Sequence, residues 1–479
     1  MSYRRSTLAV LLLTLVSGCV PAIKDHAERI KEVKIPAHLI TSNSAVSNDE
    51  AEINTNEWWK VFNNDELEGL IKLAQKGNPS IAEANSRLEI AQAELRQSRS
   101  VQLPRVDAAA AVTSLHYSNN GDHGIYNGQT NIIGVANPLI VNYRPDFFGK
   151  DKEIIASAAA HAEVHKALLK GSLITLRQSV IKTYFALVTA NELVKAQLDI
   201  IEAAKEVEAV RINAVQAGLQ PASAVLPSRL YLGQTNAGLS LIKQRKGALQ
   251  YALLHLLGRS PDQAIELRQN ELSIPQRLPV PATINLDSIS RRPEIQAALW
   301  RIRYSSHMEK AAQKDFYPNI NLRALLGFNS LGLANLFDSQ SLSYAAGPAL
   351  SLPIFNHHEL ESRFDAAAAA YDAAVFAYNQ SVLNAAKEVA THLENLENTK
   401  SILASQVLIL ESRTAYAESM HAEFNSGVND KLAYLEALIN KQRAYADYLQ
   451  ARLDWLCAIT DMATALDGEL QETGNDLQN

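Results

Sequence analysis

Two imidazoles invite a chemical reading first. His161 and His165 stand in His161-Ala162-Glu163-Val164-His165, so a helix would place both rings on one face. Histidines at that spacing can ligate zinc, but the metalloprotease motif needs glutamate directly after the first histidine. Ala162 stands there instead, and the pair reads as a solvated or interhelical face. His357-His358-Glu359 reads as a helix start, and Arg291-Arg292 as scaffold ahead of Pro293. The chain has no phosphate loop, no nucleophile elbow and no Cys/His cluster. Its two cysteines, Cys19 and Cys457, make neither a disulfide framework nor a paired-cysteine metal site. Cys457 lies in an apolar stretch, where a buried, inert thiol is its expected role. No catalytic residue and no metal ligand is assigned, and the chain is read as a non-enzyme.

The one residue with a covalent future is Cys19. Arg4 and Arg5 give a positive start, Leu8 to Val16 a short apolar run, and Val16-Ser17-Gly18 small residues before the cysteine. The run is too short to span a bilayer, so residues 1–18 read as a signal peptide. The placement of Cys19 resembles a bacterial lipobox, in which the cysteine is acylated with groups such as palmitate. That lipid is the only cofactor expected. Residue 20 is Val rather than Asp, which by analogy with lipoprotein sorting favours the outer membrane. The formal net charge is only -6 with no basic block, so nucleic acid is not an expected partner. Outside the signal no apolar run nears the roughly 18 residues of a spanning helix. Any membrane-spanning part is therefore expected to be a β-barrel, because open strands leave backbone groups unpaired in lipid.

The rest of the chain is built to position a long helical scaffold. Counting back in sevens from Phe424 meets Ala417, Leu410, Leu403, Leu396, Val389, Val382 and Val375, every one apolar. Such a column predicts helices packed on helices. From Glu359 to Asn425 it predicts one helix about 100 Å long, at 1.5 Å per residue. The same count back from Val215 meets Glu208, Ile201, Val194, Leu187, Val180 and Leu173, and only Glu208 breaks the column. Val215 stands to Gly218 as Phe424 stands to Gly427, so the chain reads as an internal duplication. Pro79 and Pro104 in the first copy match Pro293 and Pro318 in the second. After each second proline the period becomes two. Val106, Ala108, Ala110 and Val112 alternate with their neighbours, as do Ile320, Leu322, Ala324, Leu326 and Phe328, which predicts strands of matching phase.

The expected organisation follows that plan. A signal peptide (1–18) and tether (19–56) precede short helices (57–102), two barrel strands (103–147) and a long helical hairpin turning at 218 (148–258). A proline-rich linker (259–292) leads to a second short helix (293–318), two more strands (319–355), a second hairpin turning at 427 (356–467) and a polar tail (468–479). The fold class is mainly α with a membrane β-barrel. Four strands per chain cannot close a barrel, so copies must join: two would give eight strands with a filled interior, three twelve with room for a pore, the long helices continuing below as a helical tube.

Several stretches resemble the TolC/OprM family of outer-membrane efflux factors, in its lipoprotein branch. They are Glu57-Trp58-Trp59 through Asp65-Glu66-Leu67, Arg291-Arg292-Pro293-Glu294-Ile295, Phe316-Tyr317-Pro318, Leu352-Pro353-Ile354-Phe355, and Asn379-Gln380-Ser381-Val382 through Glu388-Val389. The resemblance implies a homotrimeric duct, a trimeric twelve-stranded β-barrel in the bacterial outer membrane continuing into a long periplasmic α-helical barrel. A periplasmic adaptor (membrane fusion protein) would join it to an inner-membrane transporter of the resistance-nodulation-division type. The chain would conduct drugs or toxic small molecules passively, a role in antibiotic resistance.

The resemblance also implies which residues act. The helical turns would form the narrow periplasmic end and meet the adaptor through Gly218, Leu219, Gly427 and Val428. Ala433 and Glu436 stand six and nine residues after Gly427, where the family commonly has two carboxylates. Glu436 supplies one and Asp430 offers a charge one turn earlier, so these two and Phe424 are the expected gate. A ring of like charges in a narrow mouth selects cations. Ala224 and Pro221 depart from the family pattern in the first turn, and Phe424 and Asn429 stand where a tyrosine and an arginine can make polar links. Closure is therefore expected to rest on packing at Phe424. Two rival functions remain: the same duct serving type I protein secretion, and a lipid-anchored periplasmic coiled coil without a pore. Paired hairpins of matching phase argue against the second, and the lipobox with Arg291-Arg292-Pro293 leans toward efflux over secretion.

Overall fold

Proline and glycine punctuate this chain at matching places in its two copies. The computed structural model describes residues 55–263, 267, 272–275, 290–353 and 355–466. The signal peptide, Cys19, the tether before residue 55, much of the linker and the polar tail lie outside the described residues. A 3-10 helix, Thr55–Phe62, precedes α1 (Asp65–Gly77) and α2 (Pro79–Ser100). Strands β1 (Arg105–His116) and β2 (Thr130–Tyr143) lead to α3 (Lys150–Gln216) and α4 (Leu226–Leu256). The second copy repeats the order: α5 (Pro293–Gln313), β3 (Asn319–Leu331), β4 (Leu342–Ser351), α6 (His357–Asn425) and α7 (Lys431–Leu466). Pro79 opens α2 and Pro293 opens α5, where a missing N–H costs nothing. The long helices contain 67 and 69 residues.

The seven-residue columns are the buried seams of those helices. Val375, Val382, Val389, Leu396, Leu403 and Ala417 are buried on α6, with Leu410 and Phe424 half-buried. On α3, Val180, Leu187 and Ile201 are buried. Glu208, the one polar break, is held across the first hairpin by Arg229 at 3.0 Å.

The four strands form one antiparallel sheet in the order β1-β2-β3-β4. The register runs Val106↔Val141↔Ala324↔Ala346 and Leu139↔Leu326↔Tyr344, so these residues share one apolar face. Arg105, Asn142 and Arg323 lie on the other face. The predicted phase is therefore the observed one. The predicted closure is not. In place of a trimeric twelve-stranded β-barrel with transmembrane strands, the described residues hold a small, open four-stranded sheet on a mainly α-helical fold, with β1 and β4 at opposite edges. Alternation in sequence assigns each residue a face, and four strands are too few to curl until their edges meet. No described helix is long and apolar enough to cross a membrane.

The described chain divides into two compact units, each taking pieces from both copies. The first gathers Arg87–Lys166 and Ala297–Asn379. The second takes the described residues of Glu32–Ser86, Ala167–Gln296 and Gln380–Asn479. In the first unit, Phe316, Leu360 and Phe364 form a core at the strand ends, and Phe148 stacks on Tyr317. Arg144 pairs with Asp151, and Lys150 with Asp315, pinning the start of α3. In the second unit, Trp58, Phe62, Leu67 and Ile71 are buried with Tyr184 and Phe185 of α3. Phe62 meets Phe185 edge-on at 4.9 Å, and Arg177 lies over the Trp59 ring at 4.0 Å. The Glu57-Trp58-Trp59 stretch is thus an aromatic anchor for the long helix.

Candidate functional site: the paired helical turns

The two hairpin turns of the second unit are built the same way. At the end of α3 the Gly218 N–H donates to Val215 O (3.0 Å) and the Leu219 N–H to Ala214 O (2.9 Å). At the end of α6 the Gly427 N–H donates to Phe424 O (3.0 Å) and the Val428 N–H to Glu423 O (2.9 Å). Both are the glycine-centred cap in which a left-handed residue lets the last carbonyls be satisfied. Gly218 and Gly427 have φ of 73° and 74°, a region that only glycine enters without strain. The residue after such a glycine commonly packs back on its helix. Here its targets would be Ala214 and Glu423, which offer little apolar cover. Leu219 and Val428 stay 79% and 76% exposed.

The other expected site residues take distinct places. Asp430 caps α7, its Oδ1 accepting the Ala433 N–H at 2.8 Å. A carboxylate there satisfies an orphan donor and complements the helix dipole. Phe424 stacks on Tyr434, with ring centroids 6.2 Å apart and planes 7° from parallel. His421 reaches the same ring at 4.7 Å. Glu436 is exposed on α7 between buried Leu435 and Ala437. The structure brings Phe424, Gly427, Val428 and Asp430 into one turn, with Glu436 farther along the next helix. Asn429 donates to Glu423 Oε2 at 3.1 Å within its own turn.

Side-chain partners unrecognised in the sequence join the hairpins. Lys431 pairs with Glu206 at 2.9 Å, and Lys182 with Asp461 at 2.8 Å. Arg452 and Glu192 form a buried ion pair, and Arg443 lies over the Tyr231 ring at 5.1 Å. Arg292 binds Glu294 at its own helix start and Glu388 on α6. His392, 3.6 Å away, and Arg292 hold the Glu388 carboxyl well down, at about 2, against the opposing pull of partial burial. Arg292, Glu388 and Asp461 also line a cleft of about 670 Å³. Tyr434, the hub of the second turn, had a signal in its apolar neighbours but no spacing that singled it out.

The histidine pair proves interhelical. In the first unit, His161 and His165 meet edge-on at 4.8 Å; His161 also lies near Tyr304 of α5 and 3.5 Å from Glu94 of α2. Burial, reinforced by His161 and Arg87, lowers the His165 pKa. Among the described residues no group of three or more His, Cys, Asp or Glu is placed to hold a metal ion. Burial pushes the Cys457 thiol up to about 11.

The turns, the repeated hairpins and the open sheet place the chain among known proteins. Residues 70–259 and 287–468 match the family described as outer membrane efflux protein. The multidrug resistance outer membrane protein MdtP of Escherichia coli (strain K12) is 25% identical over 446 residues, covering 88% of each chain. The fusaric acid resistance protein FusA of Burkholderia cepacia is 25% identical over 373 residues, covering 76% of this chain and 69% of that protein. The Campylobacter jejuni CmeC outer membrane channel shares the fold with a TM-score of 0.83 at 21% identity, covering 95% of this chain and 96% of that one. The outer-membrane channel OprN does so with a TM-score of 0.78 at 22% identity, covering 92% and 98%. The chain belongs to the outer membrane efflux protein family, a non-catalytic class, as an outer-membrane channel protein of the TolC/OprM type.

Proposed function

We propose that this chain is the exit duct of a tripartite efflux assembly, conducting drugs or toxic small molecules outward without chemistry of its own. It works as a homotrimer. A periplasmic adaptor of the membrane fusion protein type meets the turns at Gly218-Leu219 and Gly427-Val428. An inner-membrane transporter of the resistance-nodulation-division type supplies energy and selects cargo. A lipid on Cys19 adds an anchor in the outer membrane. Phe424, Asp430 and Glu436 act at the narrow end, where Glu436 contributes a ring of negative charge.

The observation that carries this reading is the repeated turn: two identical caps, each presenting one exposed apolar side chain, Leu219 and Val428. Exposed apolar residues in matching positions suit a partner that docks on both. The names of MdtP and FusA speak of resistance to small toxic molecules, which favours efflux over protein secretion.

The test is genetic and physical together. Removing the gene should sensitise its host to small toxic compounds. The wild-type chain should restore resistance, and a Leu219→Asp, Val428→Asp chain should restore much less at equal outer-membrane abundance. Unchanged susceptibility with loss of a secreted protein would replace efflux by secretion. Light scattering of the detergent-extracted protein should give the mass of three chains; one chain would end the duct reading.

A further inference from the structure

The turns and the sheet leave one cluster of metal-ligating side chains without a task. In the first unit, α3 carries His161 and His165 one helical turn apart, flanked by buried Ala160, Ala162 and Val164. Side chains four apart on a helix lie one above the other on the same face. Glu163 stands two residues from each histidine and so falls off that face. The missing metalloprotease glutamate removes a general base. It does not remove the ability of two imidazoles to chelate an ion.

The two rings already stand close to a shared-ion geometry. Their centres are 4.8 Å apart and their planes 89° from parallel. Two imidazoles on one tetrahedral ion, each nitrogen about 2.1 Å from it, have ring centres about 5 Å apart. A second observation fixes which nitrogen would bind. Glu94 of α2 lies 3.5 Å from His161 Nδ1, which leaves Nε2 to face an ion. Ligating histidines characteristically meet a carboxylate through their other ring nitrogen, which sets the tautomer and raises the basicity of the ligand. Glu94 thus sits behind a ligand rather than on the ion, and the protein ligands are two. Tyr304 of α5 packs beside the His161 ring, 5.6 Å between centres, and restrains it. The His161 side chain is still 40% exposed, so an ion and its waters can reach it. Arg87 and Arg301 act against positive charge at His165, and Glu94 opposes them. That balance holds the affinity to a moderate level.

We propose that His161 and His165 form a two-histidine site for a divalent transition metal ion such as zinc, nickel or copper. Water completes the coordination, and Glu94 orients His161. Imidazole nitrogens select these ions over magnesium and calcium, which take oxygen ligands. Among the three, divalent copper should bind most tightly. The site does not depend on the duct reading, and its failure would leave that reading intact.

Copper binding by the full-length, detergent-extracted protein tests it, in protein that carries no added histidine tag and has been stripped with chelator. Equilibrium dialysis gives the ions bound per chain, and electron paramagnetic resonance reports nitrogen ligation. The parent should bind copper through imidazole nitrogens, and a large excess of magnesium should not displace it. His161→Ala and His165→Ala should each lose one bound ion per chain. Glu94→Gln should keep that ion and its nitrogen signature but weaken binding about tenfold, as loss of an orienting carboxylate does. Replacing the adjacent pair at the start of α6, by His357→Ala with His358→Ala, should change nothing. Unchanged copper content in His161→Ala, or loss of the ion only when His357 and His358 are replaced, would overturn the site. Displacement by magnesium would do the same, and unchanged affinity in Glu94→Gln would overturn the orienting role. Should His165→Ala fail to fold, His161→Ala decides alone, at the partly exposed ring.

Discussion

Arg292 gives the Arg291-Arg292-Pro293 run a physical reason. Its guanidinium is largely buried and ties the start of α5 to Glu388 on α6. A planar fork of donors suits two carboxylates better than an ammonium would. Glu388 reports the arrangement, because His392 and Arg292 depress its folded pKa from its ordinary 4.5 to about 2. A depressed carboxyl adds stability above its unfolded pKa, and that stability is lost as pH falls through the folded one. Glu388→Gln should therefore flatten the fall in melting temperature between pH 4.5 and about 2. The carboxylate is half-exposed, so the effect should be modest. Parallel melting curves for the two proteins across that window would refute the ion-pair account.

At the scale of elements, three glycines with positive φ separate two kinds of constraint. A Cβ added at Gly218 or Gly427 would meet no atom within 4 Å, so only backbone conformation opposes a side chain there. Gly258, with φ of 67°, would place its Cβ 2.0 Å from Gly77 O, so backbone meets backbone as well. Gly218→Ala and Gly427→Ala should each cost about 1–2 kcal/mol, the ordinary penalty of a left-handed residue. Gly258→Ala should cost clearly more, because neither chain segment can step aside cheaply. Thermal unfolding of the three variants checks the order. Equal shifts for all three would mean that the Gly77–Gly258 approach relaxes freely.

For the whole molecule, apolar surface left open in the single chain is the dominant fact. Val106, Tyr344 and Leu350 are 59%, 80% and 65% exposed on one face of the sheet. In the second unit, α4 and α6 add exposed Leu226, Leu230, Ile409 and Tyr416. A soluble monomer rarely leaves this many large apolar side chains uncovered on its strands and long helices. Stability should therefore be linked to assembly, and mass action then makes the melting temperature rise with protein concentration. Diluting the detergent-extracted protein over several steps measures this. A melting temperature independent of concentration, with no change in mass on dilution, would argue that copies do not stabilise one another.

What the sequence determined by itself was periodic. The seven-residue columns became the buried seams of α3 and α6, and the period of two assigned each strand residue its face. The turn glycines marked both reversals, because a left-handed backbone is a local demand that only certain residues meet. Periods and turns depend on neighbours along the chain, so they can be read along it. Tertiary structure decided whatever depends on distance between remote segments. It left the sheet open where a barrel was expected, since alternation carries no information about closure. It paired Arg452 with Glu192 across 260 positions, and Glu208 with Arg229 to excuse the one break in a column. It set Phe424 against Tyr434 and committed Asp430 to a helix cap. Which charge finds which partner, and which apolar face stays open, is fixed only when helices with no sequence proximity come to lie side by side.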